Sequence, residues 1–433
     1  MLIDFSFGNF RSFKDLHTLS MVAANITSRY EEVDRENVAR VGDKLKLLKS
    51  KAIYGANASG KSNIVKAMFT FLTIARRSVR HDDILTRLIE PFALNTETES
   101  QPSYFQVIFI SDGVTWRYGF EATPNRIVTE WLFGNSLRKE VPYFVREGMD
   151  VKVNQGAFRE AKKFEGLSKT GDSEIFRENS LFLGAVAALG GQTAKKVQEA
   201  MGRFNVISGL NDPFLQEHIR ERMQSPEEKA KIMALLRAAD FGIEDVNAAE
   251  ISEEHTLAQI PEELVELYKQ GKMRIPPSFI SKRTKYDATN RKSGEVSRDF
   301  DEWESEGTRK FFALSPLLLQ VLEDGNVLFV DEFDARLHPH LTRKIVSLFN
   351  SSVTNPQNAQ LIFITHDEGL MKASLLRRDQ ICLVEKDKFG ASGITTLVEF
   401  KGLRNDASFD KDYMSGRFGA IPFLNSLDMV FHN

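Results

Sequence analysis

The sequence predicts an α/β protein: a split nucleotide-binding fold of mixed sheet and flanking helices, interrupted by an antiparallel β subdomain and an inserted helical subdomain. Three observations predict it. The glycine-rich turn GANASGKS at 55–62 stands between an apolar run and an amphipathic helix pattern. Far downstream, the apolar run NVLFV at 326–330 ends in Asp331 and Glu332, and QLIFIT at 360–365 ends in His366 and Asp367. Between these parts the pattern changes twice, first to short alternating runs and then to helical spacing.

The elements follow in chain order. Residues 2–8, LIDFSFG, alternate as a strand, and 46–54, KLLKSKAIY, form a run whose apolar end leads into the glycine turn. After the turn, Ile64, Ala67, Met68, Phe71 and Leu72 recur at helical spacing. Arg76 and Arg77 stand near the end of that helix, where cations suit the dipole. From 103 to 135, SYFQVIFIS, VTWRYGFEA and RIVTEWLFG are separated by Asp112-Gly113 and Pro124-Asn125, as in an antiparallel sheet. Residues 156–275 read as mostly helical, with turns at Gly171-Asp172, Asn211-Asp212-Pro213 and Ser225-Pro226, and lack the sustained heptads of a coiled-coil arm. The polar, basic stretch 272–303 reads as a hairpin, after which strands and helices alternate to about residue 400 as in a parallel sheet. The expected division is therefore 1–155, the N-terminal part of the nucleotide fold with the β subdomain; 156–275, the helical insertion; and 276–433, the C-terminal part.

Composition sets bounds without choosing a function. The 433 residues suggest two or three modules, and 42% hydrophobic with 27% charged residues is ordinary for a chain with a large core. No stretch of about 20 apolar residues offers a membrane span. The N-terminus reads as a strand and lacks a basic region followed by an apolar run and a cleavage site, so the chain is expected to be cytoplasmic. The single cysteine, Cys382, sits in QICLVE and is expected to be a buried strand thiol. A net charge of -3 neither demands nor excludes a nucleic-acid partner.

The chemistry is carried by a few residues. Gly55 opens G-x-x-x-x-G-K-[ST], whose context of strand, turn and helix is the one a phosphate-binding loop needs. Backbone N–H groups of Asn57, Ala58, Ser59, Gly60, Lys61 and Ser62 are expected to wrap the β-phosphate of ATP at the start of the helix that Asn63 continues. Lys61 supplies a point charge for the β- and γ-phosphates, and the Ser62 hydroxyl a ligand for Mg²⁺. Asp331 is expected in the Mg²⁺ shell, with Glu332 as the general base that polarises the attacking water. The alternative is that both cap the next helix. His366 tops a strand at the carboxyl edge where α/β sheets bind ligands, and is expected to contact the γ-phosphate. Ser305, Glu306, Gly307 and Thr308 precede a helical pattern and make either a plain helix cap or an anion site for the nucleotide of a second copy.

The order of P-loop, SEGT at 305–308, LFVDE at 328–332 with Asp334, Leu337-His338-Pro339, and ITH at 364–366 resembles an ATP-binding-cassette (ABC-type) ATPase head of the SMC, RecF and OLD group. The opening Asn9-Phe10-Arg11-Ser12-Phe13 is similar to the N-terminal strand-turn of that group. More narrowly, EWL at 130–132, ESEGTRK at 304–310, DEFDARLHP at 331–339, RRDQI at 377–381 and YMSGRFGAIP at 413–422 resemble RloA-type ATP-binding proteins of anti-phage defence and abortive-infection loci.

The resemblance implies a homodimer closed by Mg²⁺-ATP, with the signature Ser305, Glu306, Gly307 and Thr308 acting in trans. It also implies Asp334 at the dimer seam, His366 sensing γ-phosphate and Arg11 near the nucleotide. Two departures stand out: Glu306 replaces the glycine of transporters, and no glutamine is placed as the Q-loop, with Gln106 either that residue or an ordinary sheet residue. RloA-type proteins are encoded beside a separate nuclease-like effector, so such a partner is implied too. OLD enzymes carry a fused nuclease, but the segment with Glu385, Asp387 and Asp410 is too short for that domain, and no nuclease site is expected. Lys282, Arg283, Lys285, Arg291 and Lys292 are expected on a solvated hairpin or against DNA or an acidic protein, and Arg417 either in a structural turn or at a nucleotide or partner face. The other functional readings are a RecF-like DNA repair clamp and a low-turnover scaffold restraining a toxin.

Overall fold

The structure is a computed structural model that describes residues 1–135, 139–164, 176–209, 213–249, 265–267, 278–403 and 408–421. The chain divides into two compact units, one of Met1–Ile207, Gly325–Phe333 and Ile345–Asn433, the other of Ser208–Asp324 and Asp334–Lys344.

The first unit holds two large sheets. The antiparallel one contains β1 (Leu2–Gly8), β2 (His17–Ser20), β6 (Ser103–Ser111), β7 (Val114–Ala122), β8 (Ile127–Asn135), β9 (Val141–Glu147) and β10 (Asp150–Val153), in the order β10-β9-β8-β7-β6-β1-β2. The other contains β5 (Ser50–Gly55), β11 (Phe204–Ile207), β15 (Val327–Val330), β16 (Gln360–Ile364), β17 (Ile381–Lys386) and β18 (Ser392–Thr396), in the order β11-β15-β16-β5-β17-β18. All its pairings are parallel except β17 with β18. A small ribbon pairs β3 (Val38–Val41) with β4 (Leu45–Leu48), so the single run expected over 46–54 is two strands with Lys49 between them.

Short helices α1 (Glu31–Glu36) and α3 (Ile84–Leu88) flank the long helix α2 (Lys61–Arg77), whose Ile64, Ala67, Met68, Phe71 and Leu72 are all buried. Phe71 stacks on Phe120 at 5.6 Å and meets Phe5 and Tyr118 at 6.2 and 6.0 Å, so α2 shares one core with the antiparallel sheet. Ile53, Val327 and Ile362 bring the parallel strands into the same cluster. Cys382 is buried on β17 with its thiol 3.6 Å from Thr396 Oγ1.

A buried ion pair ties α4 (Phe182–Ala188) to the β subdomain. Glu130 on β8 accepts hydrogen bonds from the Phe182 and Leu183 N–H groups at 2.6 and 3.0 Å and from the Tyr118 hydroxyl at 3.0 Å. Arg146 on β9 stands 3.5 Å from the same carboxylate and donates to the carbonyls of Ser180 and Gly148, both at 2.6 Å. Both side chains are fully buried. Burial pushes the Glu130 carboxyl up from its ordinary value, against the opposing pull of Arg146 and the donors that hold it. EWL therefore has a structural job: Glu130 caps α4, and Trp131 Nε1 donates to Gln106 Oε1 at 3.1 Å, which makes Gln106 a sheet residue bonded across strands. Glu130→Ala strands a buried guanidinium and two helix N–H groups, and is expected to lower stability by about 3–5 kcal/mol in chemical denaturation.

RRDQI has a similar role. Arg377 grips Asp379 through Nε and Nη2, both at 2.9 Å, and pairs with Asp34. Gln380 accepts from Asn37 Nδ2 and donates to the Ser50 carbonyl, fastening the 24–37 segment to the start of β5.

The span 156–275 holds more than helices. After α4 and α5 (Gln192–Gly202), β11 enters the parallel sheet beside β15; its four residues, FNVI, are too few to carry a period of their own. The second unit continues with α6 (Pro213–Met223), α7 (Pro226–Ala238) and β12 (Asp245–Ala248). Ser225 caps α7 from its Oγ to the Glu228 N–H at 3.5 Å, with Pro226 at the first helical position. The turns at Gly171-Asp172 and Asn211-Asp212, and most of the helical pattern from 250 to 275, lie outside the described residues. Then β13 (Phe279–Tyr286) and β14 (Lys292–Asp299) form the expected hairpin, joined to β12 as a three-stranded sheet. Helices α8 (Phe300–Trp303) and α9 (Glu306–Asp324) follow, with Phe312 of α9 packed on Phe300 and Phe279 at 4.6 and 5.0 Å. The remaining helices are α10 (Pro339–Asn350) and α11 (Phe409–Met414).

Candidate nucleotide site

Strand β5 runs into the glycine turn, and the turn into α2. Gly60 caps α2 with φ +106, and a Cβ there would stand 2.2 Å from Ser392 Oγ and 2.5 Å from Ser12 Oγ. Both the dihedral and the space demand glycine. Ala58 adopts φ +63, which turns the loop back on itself. Lys61 is buried, its ammonium donating to the carbonyls of Gly55 and Ala56 at 2.8 Å each.

The cradle fits a polyphosphate on three counts. No acidic side chain occupies the first turn of α2, and no side chain caps it, so its positive end is not neutralised locally. Ser59 is 4% exposed, yet its Oγ has no hydrogen-bond partner. Lys61 brings a cation to the same loop.

Two serines that sequence reading did not assign to the site brace this turn. Ser392 on β18 donates to the Ser59 carbonyl at 2.6 Å and lies 2.8 Å from Ser12 Oγ, and Asn63 Nδ2 donates to Ser12 Oγ at 2.8 Å. Ser12 lies in NFRSF beside Arg11, the residue to which the family resemblance points. The structure puts the Arg11 guanidinium on Glu90, with φ +50 at Arg11, while Ser12 touches the cradle. Ser392 had no local signal.

The carboxyl ends of β15, β16 and β5 lie along one edge, with Val330 opposite Phe363 and Ile364 opposite Ile53. At about 4.8 Å between strands, the end of β15 lies roughly 10 Å from the end of β5. Asp331 and Glu332 therefore sit on the same edge as the cradle, with Thr365 and His366 between. The Asp331 N–H donates to the Ile207 carbonyl at 3.1 Å, and Asp331 Oδ1 accepts the Glu332 N–H at 3.0 Å. Glu332 adopts φ +45, a left-handed turn that breaks the strand, and the Phe333 N–H then returns to the Ile364 carbonyl at 2.9 Å. Helix α10 begins only at Pro339, well beyond both carboxylates. The Thr365 N–H donates to the Ile53 carbonyl at 3.2 Å, and His366 is exposed.

The signature lies in the second unit. Ser305 Oγ accepts the Thr308 N–H at 3.2 Å and lies 2.9 Å from Thr308 Oγ1, capping α9. Residues 334–336 lock onto this helix start. Arg336 Nε is 3.3 Å from Glu306 Oε2, and Lys310 Nζ donates to the Ala335 carbonyl at 2.7 Å. A Cβ on Gly307 would stand 2.4 Å from the Arg336 carbonyl. The Asp334 carbonyl accepts the Leu337 N–H at 3.0 Å. Signature and Asp334 segment thus form one block, in which Arg336 offsets the carboxylate that Glu306 adds at the helix start.

Several of the remaining candidates have internal partners. Arg283 pairs with Glu304 at 2.6 Å, and Lys292 with Glu295 at 3.7 Å. Asp387 Oδ1 accepts the N–H groups of Phe389 and Ala391 in the β17–β18 turn, Asp410 accepts from Ser408, and Arg417 pairs with Asp412 at 3.0 Å. Among the described residues, no group of three or more His, Cys, Asp and Glu is placed to hold a metal, and no helix is long and apolar enough to cross a membrane.

A family model described as "AAA domain, putative AbiEii toxin, Type IV TA system" matches residues 52–178 and 215–372, more than half of the chain. Among solved structures, the SMC head domain from Thermotoga maritima is similar over 91% of this chain and 98% of its own, at 15% identity and a TM-score of 0.40. The curated proteins give no match. The phosphate-binding loop and the carboxylates on its edge stand inside the matched segments, and the chain belongs to this family of AAA-type, P-loop ATPase domains.

Proposed function

We propose that this chain is a cytoplasmic ATPase switch of RloA type, in which Mg²⁺-ATP closes a homodimer that controls a separate, nuclease-like effector in anti-phage defence. The observation that carries the reading is the shared carboxyl edge of β5, β15 and β16, which gathers the phosphate cradle, a carboxylate pair and a histidine.

In this reading the N–H groups from Asn57 to Ser62, with Ser59 Oγ and Lys61, hold the β- and γ-phosphates. Ser62 and Asp331 would hold Mg²⁺, which when bound would neutralise charge on the phosphate oxygens. As water attacks the γ-phosphorus and the bond to the β-phosphate oxygen breaks, Glu332 takes the proton of the water and ADP leaves. His366 contacts the γ-phosphate, Ser305, Glu306, Gly307 and Thr308 of the second copy close over it, and Asp334 lines the seam. DNA is the alternative partner, in a RecF-like clamp; the commitment of Arg283 to Glu304 weakens that case.

A mixing experiment tests the trans arrangement. Lys61→Ala and Ser305→Arg chains, each folded by circular dichroism, are expected to be inactive alone. Mixed in equal amounts they should recover about a quarter of wild-type turnover, because half the dimers keep one of two sites. A mixture as inactive as its components rules out a shared site.

A further inference from the structure

The C-terminal motif has no part in the scheme above, yet it packs beside the strands that carry the cradle. Tyr413, 8% exposed on α11, donates its hydroxyl hydrogen to the Ala420 carbonyl at 3.1 Å. Its ring packs on Tyr54 at 5.9 Å, and the Tyr54 hydroxyl donates to the carbonyl of Asp367, the residue after His366. From the other side, the Glu385 carboxylate accepts the Ala420 N–H. A Cβ on Gly419, at φ +66, would stand 1.8 Å from Glu385 Oε1. The preceding residue, Val384, pairs with Gly55, and its carbonyl would be 2.3 Å from a Cβ there. Two glycines, one opening the cradle and one in the C-terminal turn, thus close against consecutive residues of β17.

We propose that the turn 415–420 is coupled to the nucleotide, with Tyr413 and Glu385 as positioning residues that link the occupancy of the cradle to the conformation of this turn. The inference rests on the nucleotide reading of the cradle. Gly55 stands between Lys61, which donates to its carbonyl, and Val384, its partner on β17, while the preceding Tyr54 packs on Tyr413. A polyphosphate that draws the Lys61 ammonium changes the pull on the Gly55 carbonyl. Gly55 passes the adjustment through Tyr54 to Tyr413 and through Val384 to Glu385, and so from both sides to Ala420. Linkage makes the effect reciprocal: whatever orders or displaces the turn changes nucleotide affinity by the same factor. Met414 and Arg417 on this segment are half-exposed or more, so the change is presented at the surface.

Hydrogen exchange on the full chain, with and without saturating Mg²⁺-ATP, tests the proposal. In the wild type, nucleotide is expected to slow exchange at 415–420 by about 5- to 150-fold. Tyr413→Phe keeps the ring against Tyr54 and loses the hydroxyl; it should bind ATP about two- to tenfold more weakly and lose the response at the turn. Should Tyr413→Phe fail to fold, Glu385→Gln, which keeps an acceptor for the Ala420 N–H, should retain the response that Glu385→Ala loses. If the wild type binds ATP by titration and exchange at 415–420 does not change, the coupling is wrong. A full response in both Tyr413→Phe and Glu385→Ala overturns the roles of these residues. No ATP binding by the wild type overturns the reading of the cradle itself.

Discussion

Glu332→Gln is expected to lower ATP turnover by about 10²- to 10⁴-fold while leaving ATP binding intact. The amide has nearly the shape of the carboxylate and keeps an acceptor, but it cannot take a proton from water. The turn that places this side chain is held by backbone bonds of Asp331 and Phe333, which the substitution leaves alone. Single-turnover hydrolysis and nucleotide retention on a desalting column measure the two halves separately, and wild-type turnover by the variant removes Glu332 from the role of base. A trapped ATP state also reports on partners. Tagged Glu332→Gln protein purified from its native cells should co-elute with a stoichiometric nuclease-like protein if the switch controls one. DNA as the only companion favours the repair clamp.

Lys61→Ala is expected to weaken ATP binding by roughly thirty- to several thousandfold, the effect of removing one partner from a buried, charge-assisted contact. The loss has two sources. The point charge facing the phosphates disappears, and the Gly55 and Ala56 carbonyls lose the donor that shapes the loop. Titration calorimetry gives the change directly. Thermal melts give it by linkage: ATP should raise the melting temperature of the wild type and leave that of the variant where it is. Unchanged affinity would mean that the nucleotide, if it binds, binds elsewhere.

Much of the scaffold was legible because its signals are local. The alternation in β1 and β6–β8, the apolar runs of β15 and β16 and the spacing of Ile64, Ala67, Met68, Phe71 and Leu72 each follow from how side chains repeat along one element. The glycine turn was legible for the same reason, since strand, turn and helix are contiguous. FNVI at β11 was not, because four residues of mixed polarity carry no period, and only the neighbouring β15 makes them a strand. Arg11 and Ser12 show the limit within one motif: adjacent residues face different partners, and Glu90, many residues away, takes the arginine.

By itself, then, the sequence determined that this chain is a split α/β protein with a phosphate-binding loop, a carboxylate pair on a later strand and a histidine on the next. These are properties of contiguous residues and of repeating hydrophobicity. Only the tertiary structure decided that Ser392 braces the loop, that Glu130 and RRDQ are clamps within the fold, that Arg336 answers Glu306, and that Tyr413 closes onto Ala420. Each of these pairs a polar group with a partner that is distant in sequence or lies across a turn. Such pairs are set by where buried donors and acceptors find one another once the core has closed, which no local pattern encodes.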